Sequence, residues 1–152
     1  MAVKYLKAFF LLPVIVLDPS PLAPLKIWEI TKSNPKYNQL DSSQIMEKTY
    51  YTLPKDAYAY MNLVDKDLQR EGFPFVIAVS NRISRTGVFS SFWYKLDDDD
   101  EEWFIAWSLK VLAHEFAHTF HMPHCTRYEC LMNKGDKSWK PYYLCCFCLR
   151  KL

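Results

Sequence analysis

The four histidines of this chain fall in one window, His114-Glu115-Phe116-Ala117-His118-Thr119-Phe120-His121-Met122-Pro123-His124. On a helix, His114 and His118 stand four apart and project from one face. Neutral imidazoles at that spacing suit Zn2+, with Zn–N distances of roughly 2.0–2.1 Å. Glu115 follows the first histidine directly, within reach of a proton on a zinc-activated water. His124 lies six residues beyond His118 and follows Pro123, so the helix must end before it can join the other two. Three neutral nitrogens leave the ion its full charge and one open position. The chemistry expected of that set is hydrolysis of a peptide bond, with Glu115 as general base. The partner it calls for is a peptide or protein substrate.

The five cysteines are confined to the last 28 residues, as Cys125-x4-Cys130 and Cys145-Cys146-x-Cys148. Five so close together do not make an even disulfide framework. Two closely spaced pairs make a tetrahedral thiolate zinc site in a chain kept reduced, which points to a cytoplasmic or otherwise intracellular protein. The cofactor expectation is therefore two Zn2+ per chain, one catalytic and one structural.

The elements that must carry these residues are partly legible. At 152 residues the chain reads as one domain, residues 1–152, able to bury a substantial core. Half the residues are hydrophobic, which excludes a disordered chain, and a net charge of +2 is too small to mark a nucleic-acid partner. With three glycines and nine prolines, turns must lean on proline, Asn, Asp and Ser.

The apolar run at 8–17 reads as a buried strand over 9–17. A secretory leader fits it less well: Pro13 interrupts the run and no small-x-small cleavage site follows. It is also far short of the ~20 residues a membrane span needs. A proline-rich connection covers 19–24. Asp41-Ser42-Ser43 caps a helix over 43–53. Apolar strands follow at 58–64, 73–80 and 87–94, with a turn at 70–72. The six carboxylates at 97–102 lead into a helix N-terminus, where they favour its dipole; the spacing of a calcium loop is absent. A helix spans 103–120, with Ile105, Leu109, Leu112, Phe116 and Phe120 as its apolar face. Strands alternating with helices predict an α/β fold: a mixed, mostly parallel sheet packed on the metal-bearing helix.

His114-Glu-x-x-His118 with a third histidine at His124 resembles the metzincin metallopeptidases. The sequel, His124-Cys125-x4-Cys130-Leu131-Met132 and then Cys145-x-x-Cys148, resembles the archaemetzincins in particular. Softer likenesses are Tyr37-Asn38, Leu53-Pro54-Lys55-Asp56-Ala57, Val64-Asp65-x-Asp67-Leu68 and Gly87-Val88-Phe89-Ser90.

The resemblance implies a zinc metallopeptidase, an aminopeptidase among the activities considered. It makes Met132 a hydrophobic floor under the catalytic zinc. It makes Cys125, Cys130, Cys145 and Cys148 the ligands of a structural zinc in a C-terminal subsite spanning 125–148, with Cys146 left out. It also has the strand at 87–92 lining the cleft, its free edge open to extended substrate. The chain departs from the pattern where the family has glycine and this sequence has His121. Either His121 takes up a positive φ, at a cost of about 1–2 kcal/mol, or the helix runs on and His121 replaces His124 as third ligand. The spacer from Met132 to Cys145 is shorter than usual, with a turn expected at 134–136, and the N-terminal strand–helix unit is reduced to residues 1–7. These departures keep a second reading open: a catalytically impaired zinc-binding pseudopeptidase acting as an interaction module. The loops at 82–85 and 97–102 are the expected contributors to specificity.

Overall fold

A computed structural model describes residues 1–19, 39–93, 101–135 and 139–152. The proline-rich connection beyond Pro19, Tyr37-Asn38, the carboxylates at 97–100 and the last residue of the expected 134–136 turn lie outside the described residues.

In chain order the elements are α1 (Ala2–Phe10), β1 (Leu40–Asp41), α2 (Ser42–Thr52), β2 (Tyr60–Val64), β3 (Leu68–Arg70), β4 (Phe73–Val76), β5 (Ala78–Asn81), β6 (Thr86–Ser90), α3 (Glu101–Thr119) and α4 (Cys146–Leu149). The α2 start follows from one side chain. The Asp41 carboxylate accepts from the backbone N–H groups of Ser43, at 2.8 Å, and Gln44, at 3.3 Å, two donors the first turn would otherwise leave without partners.

The strands form two mixed three-stranded sheets, ordered β1-β3-β4 and β2-β6-β5. β1 with β3 and β2 with β6 run parallel, whereas β3 with β4 and β5 with β6 run antiparallel. β6 is the central strand and is buried along its whole length. Gly87 on it lets neighbours pack closely: a Cβ there would displace the flexible end of the Met61 side chain, at 2.7 Å, and press on the Val79 carbonyl oxygen, at 3.2 Å. The edge foreseen at 87–92 is therefore not free. β6 is paired on both sides, and β5 is the edge strand toward α3.

Two further expectations are corrected. The apolar run at 73–80 is not one strand. It changes sheets at Ile77: Val76 pairs with Leu68, and Ala78 with Phe89. A strand that turns a corner between sheets keeps its apolar composition while changing partners, so composition cannot reveal the break. The run at 9–17 is not a buried strand either. Ala2, Tyr5, Leu6, Phe9 and Phe10 fall at helical spacing and form α1, and Leu11 closes it in the left-handed region at φ 54°. Pro13 removes a donor and disfavours helix at residue 12, so residues 11–19 take no regular structure, and Leu11, Ile15 and Val16 are exposed.

α3 begins with Glu101 and Glu102 in its first turn, as the helix dipole favours. Its buried face is not the one foreseen. Trp107, Val111, Ala113 and Ala117 are buried with Leu112. Phe116 and Phe120 instead meet α1: Phe10 lies 6.1 Å from the first ring and stacks on the second at 5.2 Å. α3 is thus covered by sheet on one side and by α1 on another, and a single-stripe pattern misjudges a helix packed on two faces. Asp67, wholly buried, is satisfied by Gln39 Nε2 and Trp93 Nε1, each at 2.8 Å, and so fastens the loop before β3.

Candidate metal centres

α3 ends at Thr119, and His121 takes a left-handed φ of 62°, as leaving the helix before Pro123 requires. That bend carries His124 back toward the helix. The ligand-capable atoms of His114, His118 and His124 lie within 4.8 Å of one another. His121 is exposed and stands outside this cluster, so the extended-helix alternative is not the arrangement found.

The ring nitrogens are individually assigned. His114 Nδ1 lies 2.8 Å from the Leu131 carbonyl oxygen, and His118 Nδ1 lies 2.7 Å from that of Met122. A carbonyl oxygen only accepts, so each Nδ1 carries the proton and donates. Each Nε2 then presents a lone pair, and the two Nε2 atoms face one another at 3.1 Å. With both rings neutral, two lone pairs at that distance repel unless a proton or a metal cation is shared between them. Tetrahedral zinc with Zn–N near 2.05 Å sets its nitrogens about 3.3 Å apart, so the donor set fits that ion.

Glu115 is 6% exposed, and its Oε2 accepts from Ser80 Oγ at 2.7 Å. Ser80, on β5, was not singled out from the sequence; its one signal is a hydroxyl on the strand face turned toward α3. A cavity of about 270 Å³ opens between β4–β5 and α3, lined by Phe75, Ile77, Ala78, Trp107 and Val111 among others. Neither the three histidines nor Glu115 line it; Val111 is the lining residue nearest to His114 along α3.

Cys125, Cys130, Cys145 and Cys148 are buried, with their sulfurs within 4.8 Å of one another; Cys146 is exposed and outside the group. Cys125 Sγ and Cys145 Sγ are 3.7 Å apart, far beyond a disulfide bond. Tetrahedral zinc with Zn–S near 2.3 Å would space them about 3.8 Å. Cys130 Sγ accepts from the backbone N–H groups of Cys145, at 3.3 Å, and Met132, at 3.5 Å. Backbone hydrogen bonding at Tyr128 brings the Cys125 thiol down to about 7, whereas burial pushes Cys130 and Cys148 up.

Asn133, also not foreseen, ties the loop together. Its Nδ2 donates to the Cys125 and Tyr128 carbonyls at 2.9 and 3.0 Å, and its Oδ1 accepts from Cys130 N–H at 2.8 Å. Met132 is wholly buried, and its carbonyl accepts from Cys125 N–H at 2.8 Å.

Mixed sheets on a histidine-bearing helix, followed by a cysteine-rich C-terminal segment, define a fold of the archaemetzincin kind. The crystal structure of a zinc-dependent peptidase from Methanocorpusculum labreanum is similar, with a TM-score of 0.76 at 20% identity over 99% of this chain and 90% of that one. So is archaemetzincin from Archaeoglobus fulgidus complexed with malonate, with a TM-score of 0.73 at 21% identity over 99% and 92%. Residues 40–152 match peptidase family M54, and the chain belongs to that family. It is 26% identical to archaemetzincin-2 of Macaca fascicularis and 25% identical to that of Homo sapiens, in each case over 97% of this chain. It spans about half, 51%, of the length of those curated relatives. The resemblance read from the motifs is thereby shown. Among the described residues no helix is long and apolar enough to cross a membrane.

Proposed function

We propose that the chain is a zinc-dependent metallopeptidase that hydrolyses peptide bonds in a peptide or protein substrate, with Glu115 as general base. The observation that carries this is the convergence of three histidines: the Nε2 atoms of His114 and His118 lie 3.1 Å apart and His124 closes the set. Family membership and the name of the Methanocorpusculum relative, a zinc-dependent peptidase, support the same reading.

His114, His118 and His124 would hold the catalytic zinc. When bound, zinc acidifies its water toward a pKa of about 7 and polarises the scissile carbonyl. The Leu131 and Met122 carbonyls fix each imidazole in the tautomer and orientation that ligation needs. Glu115 takes the proton of the attacking water and passes it to the leaving amine. Its burial and the Ser80 hydrogen bond restrict where that carboxylate can point.

The outer edge of β5 has no strand partner among the described residues. Extended peptide backbone can add there.

Cys125, Cys130, Cys145 and Cys148 would hold a second, structural zinc, with no position open to substrate. Cys125 follows His124 directly, so closing that site restrains the third catalytic ligand. We take residues 1–152 as one peptidase unit that includes the 125–148 subsite. One apolar cluster, which contains Val111, Ala117, Met132, Cys130 and Cys148, supports that reading.

The test is incubation of the purified, zinc-loaded chain with a peptide library, followed by mass-spectrometric mapping of cleavage sites. Cleavage that survives N-terminal acetylation of the library marks an endopeptidase, and cleavage abolished by it marks an aminopeptidase. A second reading, a zinc-binding chain without hydrolysis that acts as an interaction module, is favoured by His121. It holds φ 62° at the position where the family has glycine. Equal inactivity of wild type and Glu115→Ala selects that reading.

A further inference from the structure

We propose that Ser80 is a positioning residue for the Glu115 carboxylate, joining the sheet edge to the general base; the inference rests on the peptidase reading above. Strand alternation sets the geometry. Val79 turns into the buried cluster of Ile45, Met46 and Val88. Ala78 and Ser80 therefore turn to the opposite face, toward α3. Ala78 packs there against the apolar cluster around that helix. At Ser80 the chain carries a hydroxyl instead, and its proton goes to Glu115 Oε2 at 2.7 Å.

A serine on a helix-facing strand position packs little better than alanine. Its distinctive contribution is this donor, given to a carboxylate that is only 6% exposed. The donor itself is held firmly. Ser80 pairs with Gly87 in the antiparallel ladder. The next residue, Asn81, caps the following turn by accepting from the N–H groups of Ile83, at 2.8 Å, and Ser84, at 3.2 Å. The hydrogen bond orients the carboxyl plane of Glu115 from a strand whose other edge is open to peptide. Backbone that adds to β5 thereby bears on the same segment that aims the base.

The test has a spectroscopic and a kinetic arm. In the infrared, Ser80→Ala should shift one antisymmetric carboxylate stretch, and the same substitution in a Glu115→Gln background should shift none. Kinetically, Ser80→Ala should lower kcat about ten-fold, the scale of one charge-assisted hydrogen bond partly expressed in the transition state. KM and zinc content should stay at their wild-type values, and Ser80→Thr, which restores the hydroxyl, should recover kcat. An unmoved carboxylate band, or a change in KM with kcat intact, overturns the proposal. A moved band in a protein whose wild type cleaves no peptide supports the Ser80–Glu115 link and overturns the peptidase reading instead.

Discussion

His114 Nδ1 meets the carbonyl oxygen of Leu131 at 2.8 Å across 17 residues of sequence. That contact joins the helix bearing the first histidine to the turn that carries Met132 and the cysteine loop. The orientation of His114 is consequently tied to the C-terminal segment, in which the four clustered sulfurs also lie. That hydrogen bond is a direct contact between the segments carrying the two candidate metal centres.

Removing metal should show that linkage. Elemental analysis is expected to find two zinc ions per chain. Graded chelation should release one class before the other, and loss of the thiolate-held ion should weaken retention of the histidine-held one. Two independent release curves would contradict the coupling.

Glu115→Ala should retain both ions and lose at least about 10²-fold in kcat, the scale of a positioned general base. Zinc content and peptide hydrolysis, measured on one preparation, separate a base from a ligand.

His124→Ala should lose the histidine-held ion, whereas His121→Ala should keep it, because His121 stands outside the cluster. His121→Gly should stabilise the fold by about 1 kcal/mol, since φ 62° costs glycine little and histidine more. Zinc analysis and urea unfolding measure the two effects.

Asn133→Ala removes hydrogen bonds to the Cys125 and Tyr128 carbonyls and to Cys130 N–H. A loss of about 2–3 kcal/mol in stability is expected, together with easier removal of the thiolate-held ion. Chelator competition against Asn133→Asp, which keeps one acceptor, shows how much of the effect is hydrogen bonding.

Tyr5 is pushed up to about 12, first by burial and then by Tyr142. The unfolded chain therefore loses this proton first, near pH 10, while the folded chain keeps it. The Tyr5 contribution is complete below about pH 10 and is lost as pH rises toward about 12. Urea unfolding at pH 8 and pH 11.5 should show a smaller decline for Tyr5→Phe than for wild type.

Short-range chemistry was readable from the residues alone. The i, i+4 histidines, the adjacent carboxylate, the proline that ends the helix and the clustered cysteines are local patterns, and local geometry suffices to interpret them. The Asp41-Ser42-Ser43 segment was legible as the start of α2, and within it Asp41 proves the cap, with partners two and three residues away.

What the sequence did not reveal depends on distant partners. The 73–80 run breaks at Ile77 because β3 and β6 lie in different sheets. β6 lost its expected free edge because β5 folds back on it. The strand expected at 9–17 did not form: its first two residues close α1, whose apolar residues meet α3, and the rest takes no regular structure. The Leu131 and Met122 carbonyls, the Asn133 side chain and Ser80 carry no signature of their roles in residue type. Hydrogen-bond direction and strand neighbours are set by contacts between segments far apart in sequence, so only the tertiary structure decided them.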